Sequence, residues 1–189
     1  MSASTIISDV TQTLHDLLKE KQQPARLFEV SLNSPAEDAR DPMDPKVNLF
    51  LFRVIENSFA KNREWLPIGP GVLQKPPLAL NLFYIITPFA NEKLDEHRAL
   101  GEAMHIFYDH AIISAPLLKG ELEHTAEELK VDLCQFSLEE LTRIWNALNQ
   151  PLRLSVCYEV RIILVDSSIE RSADRVTVKE NRYSQLTGR

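Results

Sequence analysis

Between residues 47 and 55, Val47, Leu49, Leu51 and Ile55 alternate with Phe50, Phe52 and Val54, so a strand there is apolar on both faces. Such a strand belongs in the middle of a sheet, with material packed on either side. A second strongly apolar strand at 78–87 stops at Pro88. Helical spacing then resumes over 91–109 through Leu94, Leu100, Met104, Phe107 and Tyr108. The order strand, turn, helix follows.

The clearest alternation lies at 152–164. Leu152, Leu154, Val156, Tyr158, Val160, Ile162 and Leu164 face one way, and Arg153, Ser155, Cys157, Glu159 and Arg161 the other. This pattern predicts an antiparallel strand with one face turned from the core. Ahead of it, Ser137 and Glu140 form a capping-box pattern opening a short helix through Leu138, Leu141, Ile144, Trp145 and Leu148, closed by Pro151. A strand is expected at 129–136, after a short apolar patch at 111–118 and a polar stretch. At the other end, Ile6, Val10, Leu14, Leu17 and Leu18 share one face of a helix at 5–21, with Ser4 available as its N-cap and Pro24 ending it. Residues 26–32 alternate well enough for a short strand. Residues 34–45, with three prolines and the acids Glu37, Asp38, Asp41 and Asp44, read as a solvated loop.

Residues 57–77 hold Pro67, Pro70, Pro76, Pro77, Gly69 and Gly71, which exclude a helix and favour a long loop or an extended arm. From residue 167 the apolar pattern fades. The stretch 167–189 carries a net +2, leaving −8 on the rest of a chain whose total is −6. Val176, Val178, Tyr183 and Leu186 are scattered through it, as in an added strand or a segment that orders on a partner. The expectation is an α+β domain over residues 1–168, a largely antiparallel sheet of about five strands with three helices on it, followed by a mobile tail or partner-binding arm at 169–189.

The acidic balance, with an isoelectric point near 5.4, argues against nucleic acid or an anionic membrane surface as the main partner. Residues 1–10 lack the basic start and apolar run of a secretion signal, which points to a protein made and kept in the cytoplasm. The cysteines, Cys134 and Cys157, each lie in an apolar segment and read as reduced core thiols.

No arrangement of catalytic residues stands out. A G-x-S-x-G elbow and a G-x-x-x-x-G-K-[ST] loop are both absent, and Gly69-Pro70-Gly71 is not followed by a helix that could offer N–H groups to an anion. His97, His105 and His110 cluster with carboxylates, but His105 and Asp109 are the only such pair at helical i, i+4 spacing, and H-E-x-x-H is missing. A solvated helix face with a histidine at its end accounts for them better than a metal. Lys61, Arg63 and Lys75, interleaved with Phe59 and Trp65, form the one basic-aromatic cluster. Trp65 fits two roles equally: an interface anchor, or a pin holding the arm to its own domain. Trp145, in phase with Leu141 and Leu148, reads as core.

The runs VNLFLFRVIENSFAKN (47–62), PPLALNLFYIITPFA (76–90), DEHRALGEAMHIFYDHAIIS (95–114) and FSLEELTRIWNALNQPLRLSVCYEV (136–160), in this order and spacing, resemble the N-terminal domain of the cap or tail-terminator proteins of bacterial extracellular contractile injection systems. The Photorhabdus virulence cassettes and the antifeeding prophage are the best-known relatives, and the resemblance covers residues 6–166. It implies a phage-tail-terminator-like fold and a structural protein, with neither cofactor nor metal. Its partners would be other copies of itself, in a hexameric ring, and the inner tube and contractile sheath proteins whose end distal to the baseplate that ring closes. The resemblance further implies assembly in the bacterial cytoplasm into a tail-like particle. Family members often carry a further C-terminal region.

Such a role makes docking surfaces the sites of interest. The candidates are the arm around Arg63, Trp65, Leu66 and Leu73, the outward row Arg153, Glu159 and Arg161, and the tail around Val176, Val178 and Tyr183. The rival readings are a baseplate or tube-proximal adaptor of the same apparatus, and a small metal enzyme using His105, Asp109 and His110.

Overall fold

The architecture comes from a computed structural model that describes residues 5–23, 26–39, 44–61, 64–124 and 128–172. Its elements in chain order are α1 (Ile6–Glu20), β1 (Glu29–Ser31), α2 (Pro35–Asp38), β2 (Lys46–Glu56), β3 (Leu66–Gly69), β4 (Val72–Gln74), β5 (Leu78–Phe89), α3 (Lys93–Asp109), β6 (Ile112–Ile113), a 3-10 turn (Gly120–His124), β7 (Leu129–Cys134), α4 (Leu138–Ala147), β8 (Val156–Val165) and β9 (Glu170–Ser172). A six-stranded sheet runs β1-β2-β5-β8-β7-β6, antiparallel except for the parallel β1–β2 pair, and a three-stranded sheet runs β3-β4-β9. The expected α+β class with a largely antiparallel sheet stands. The main sheet has one strand more than expected, and the second sheet replaces a stretch read as loop or arm.

β5 is the spine of the molecule. Every residue from Ala79 to Phe89 is buried, because β2 and β8 flank it and helices lie over both faces. Leu80, Leu82, Tyr84 and Ile86 point to a core built with α1, α3 and the inward residues of β7 and β8. The Tyr84 hydroxyl lies 2.8 Å from that of Thr11 on α1, and burial pushes its pKa to about 12. Phe107 of α3 meets Tyr158 of β8 edge to face at 4.9 Å. The opposite face is covered by α4, whose Trp145 packs with Ile85 and Cys157.

Several local expectations are corrected. β2 is buried only from Val47 to Leu49; beyond the bulge after Leu51 its residues Arg53, Val54 and Glu56 are exposed, since β1 borders only Lys46–Asn48 and α4 is too short to reach its far end. β8 starts at Val156, so Leu152 and Leu154 stand exposed in the connection from α4. Ser155, just before the strand, and Cys157 within it, both expected to face outward, are buried under that helix. Thr5 occupies the N-cap position of α1, while Ser4, Pro24 and the side chain of Ile162 lie outside the described residues.

The Ser137–Glu140 capping box is present as expected. Ser137 Oγ accepts from the Glu140 amide at 3.3 Å, and Glu140 Oε2 accepts from the Ser137 amide at 2.8 Å. Gly120, at φ +64°, also meets a strict demand: a Cβ there would stand 2.6 Å from the Asp9 carboxylate, which accepts the Glu121 amide and so ties the 3-10 turn to α1.

Candidate functional site

The arm is a small sheet rather than a loop. β3 and β4 form a hairpin whose turn places Pro70 before Gly71 at φ +73°, the arrangement a type II turn demands. β9 then pairs with β4 in the register Val72↔Ser172, Leu73↔Arg171, Gln74↔Glu170. Gln74 Nε2 donates to the Ser167 carbonyl at 2.7 Å, and the Lys75 amide donates to that of Ile169 at 2.9 Å. The first residues of the expected tail thus fold back onto the arm of their own chain. Trp65 sits half-buried beneath the Arg171 guanidinium, 4.1 Å from ring centre to Cζ. It therefore ties the start of the arm to β9 of its own chain. Leu66 and Ile68 remain exposed and Leu73 half-buried. Arg63, Val176, Val178 and Tyr183 lie outside the described residues.

The outward row divides. Glu159 and Arg161 project from β8 into the uncovered part of the sheet's second face, where a chain of polar contacts crosses the strands. Arg161 Nε donates to Asp132 Oδ2 at 2.9 Å and lies 3.9 Å from Glu159 Oε2. Asn81 Nδ2 donates to Glu159 Oε1 at 2.6 Å, and Asn57 Nδ2 donates to Asn81 Oδ1 at 3.0 Å. The chain ends in a turn, where Asn57 Oδ1 accepts the amides of Phe59 at 3.0 Å and Ala60 at 3.3 Å. Phe59 itself is 100% exposed. Hydrogen bonding to Asp132 raises the Arg161 pKa above its ordinary value, and the adjacent carboxylates keep the guanidinium paired. Arg153 is not part of this row. It lies over the Phe89 ring at 5.1 Å, and its carbonyl accepts from Ser155 Oγ, which in turn accepts Trp145 Nε1 at 3.1 Å.

Sequence reasoning missed Asp132, Asn81 and Asn57 as members of this row, and Phe59 as its exposed end. The Asn57-Ser58 start of a turn was a usable signal; the cross-strand partners of Glu159 and Arg161 had none, because register is not written in one strand alone.

The histidines form no centre. His105 Nε2 lies 3.3 Å from Asp109 Oδ2 on an exposed face of α3, and His110 Nδ1 donates to the Ile106 carbonyl at 2.9 Å at the helix end. Among the described residues no group of three or more His, Cys, Asp or Glu could hold a metal ion. Lys61 of the basic-aromatic cluster is paired with Glu56 at 3.0 Å. No described helix is long and apolar enough to cross a membrane.

Comparison with known proteins gives a family and a fold. A family model described as the Pvc16 N-terminal domain matches residues 9–179. Two solved structures share the fold. One is the sheath/tube terminator of the PVC extracellular contractile injection system in its extended state: 19% identity, TM-score 0.64, 95% of this chain and 63% of that one covered. The other is the tube-terminating cap of the anti-feeding prophage: 15% identity, TM-score 0.62, 94% and 61% covered. The chain thus spans less than two thirds of the length of either. No curated protein sequence matches it.

Proposed function

The chain belongs to the Pvc16 N-terminal domain family, and from that membership we propose that it is a structural cap subunit, forming a hexameric ring that ends the inner tube and contractile sheath of a phage-tail-like injection system. The observation that supports this is the fold shared over 95% of the chain with a sheath/tube terminator. Subunits of a tube or sheath stack by head-to-tail contacts, and growth ends where a closed ring matches the last layer without repeating its far surface. The rigid six-stranded sheet supplies the platform. Its contact surfaces are the arm with Leu66 and Leu73, held by Trp65 and Arg171, and the polar row of Glu159 and Arg161 with Asp132. Arg63, Val176, Val178 and Tyr183 join these surfaces on sequence grounds. The protein acts without catalysis and without cofactor, assembles in the bacterial cytoplasm, and becomes part of a particle that can be released.

Deletion of the gene tests this. A cap's loss leaves assembled baseplates carrying overlong, heterogeneous tails, whereas abolished assembly would mark a baseplate or tube-proximal adaptor and overturn the proposal. Light scattering adds a second check: a mass of about six chains, alone or on mixing with tube protein, is expected of the ring.

A further inference from the structure

Cys134 on β7 and Cys157 on β8 stand directly opposite each other in register. Opposed residues of an antiparallel pair project from the same face, with Cα atoms about 4.5 or 5.5 Å apart according to whether the pair exchanges hydrogen bonds. Both spacings fall inside the roughly 4.4–6.8 Å that a disulfide spans. The thiols are free and in different surroundings: Cys157 is 2% exposed beneath α4 with Trp145 and Ile85, while Cys134 at the rim of that cluster is half-buried. α4 lies between them in sequence, so a bond would close a loop around α4.

We propose that Cys134 and Cys157 are a modification site, forming an intramolecular cross-strand disulfide when the protein meets a small-molecule disulfide, and so locking β7 to β8 at the edge of α4. Cys134, the accessible partner, loses its proton to solvent and attacks one sulfur of the reagent, giving a mixed disulfide and one released thiolate. Cys157 then loses its proton and attacks Cys134 Sγ, expelling the second thiolate. The two protein thiols are oxidised and the reagent disulfide is reduced to two thiols. Burial, with the Glu159 and Asp132 carboxylates alongside, pushes the Cys134 pKa to about 11, and burial pushes that of Cys157 to about 12. Little thiolate exists at neutral pH, so the dithiol persists where thiols are kept reduced and the lock closes slowly outside such a compartment. None of this rests on the cap assignment.

Oxidised glutathione on the folded protein tests it, followed by alkylation and intact mass. The expected product has lost about 2 Da, takes up no alkylating agent, and yields a Cys134–Cys157 cross-linked peptide. Its Tm is higher by roughly 5–10 °C, and dithiothreitol reverses both changes. Cys157→Ser should stop at a glutathione adduct on Cys134, and Cys134→Ser should leave the folded protein unmodified. Stable glutathionylation of both residues, dimers linked through Cys134, no reaction of the folded wild type, or a disulfide that lowers Tm would each overturn the proposal.

Discussion

The two faces of the main sheet are built from alternate residues of the same strands and end up as different kinds of surface. On one, Val47 and Leu49 of β2, the even-numbered residues Leu80 to Ile86 of β5, and Tyr158 and Val160 of β8 meet α1 and α3 in one continuous core. On the other, the ten residues of α4 cover Phe50, Phe52, Ile85 and Cys157, Asp38 of α2 holds Asn48 and Arg153 lies over Phe89, and the sheet beyond is given to Asp132, Arg161, Glu159 and Asn81. The apolar count of a strand therefore does not decide whether it is closed in; what lies over it does. The first face holds the fold together, and the uncovered part of the second is available for contact.

Substitutions should separate the faces, and the largest effect belongs to the first. Leu82→Ala opens a cavity with no solvent route, and about 2–5 kcal/mol of loss is expected in denaturant unfolding. A loss below about 1 kcal/mol would mean this face is less tightly closed than its burial indicates. On the second face, Trp145→Phe removes the indole N–H donated to buried Ser155, and about 1–3 kcal/mol is expected. Ser137→Ala takes away the N-cap oxygen of α4 and should cost about 1 kcal/mol, with amide exchange quickened in α4 and not in α3. Equal quickening in both helices would erase the distinction between the faces.

How far each face was legible follows from the range of the forces involved. β5 and the α4 cap were plain in the sequence because both signals are local: an unbroken apolar run, and Ser137 three residues from Glu140. The arm hairpin reads in sequence as a long loop or an extended arm because its prolines outweigh the Pro70-Gly71 turn signal. Prolines exclude central strands, and this small sheet is mostly edge. Parallel pairing of β1 with β2, the opposition of Cys134 to Cys157, and the row linking Asn57 to Asp132 depend on which strands come to lie side by side. No local pattern encodes that. Trp65 fits two roles equally in the sequence for the same reason, its partner Arg171 lying on a distant strand.

The polar row should show the smallest stability effect and the clearest separation of stability from contact. Asp132 and Arg161 are both substantially exposed, so water competes for their charges and Arg161→Ala should change unfolding free energy by only about 0–1 kcal/mol. A parallel acid titration checks that the helix beside it behaves independently. The Ser137 backbone N–H and hydroxyl bond the Glu140 carboxylate and hold its pKa below the usual value, so the stability that contact adds to α4 is present above the unfolded carboxylate pKa and fades as pH falls through the lowered one. The protection of α4 amides, relative to their intrinsic exchange at each pH, should fall across that acidic window in wild type and Arg161→Ala alike. If Arg161→Ala leaves the chain this stable and still abolishes formation of the proposed ring, the second face acts through contact; if the proposed ring forms unchanged, Arg161 has no part in it.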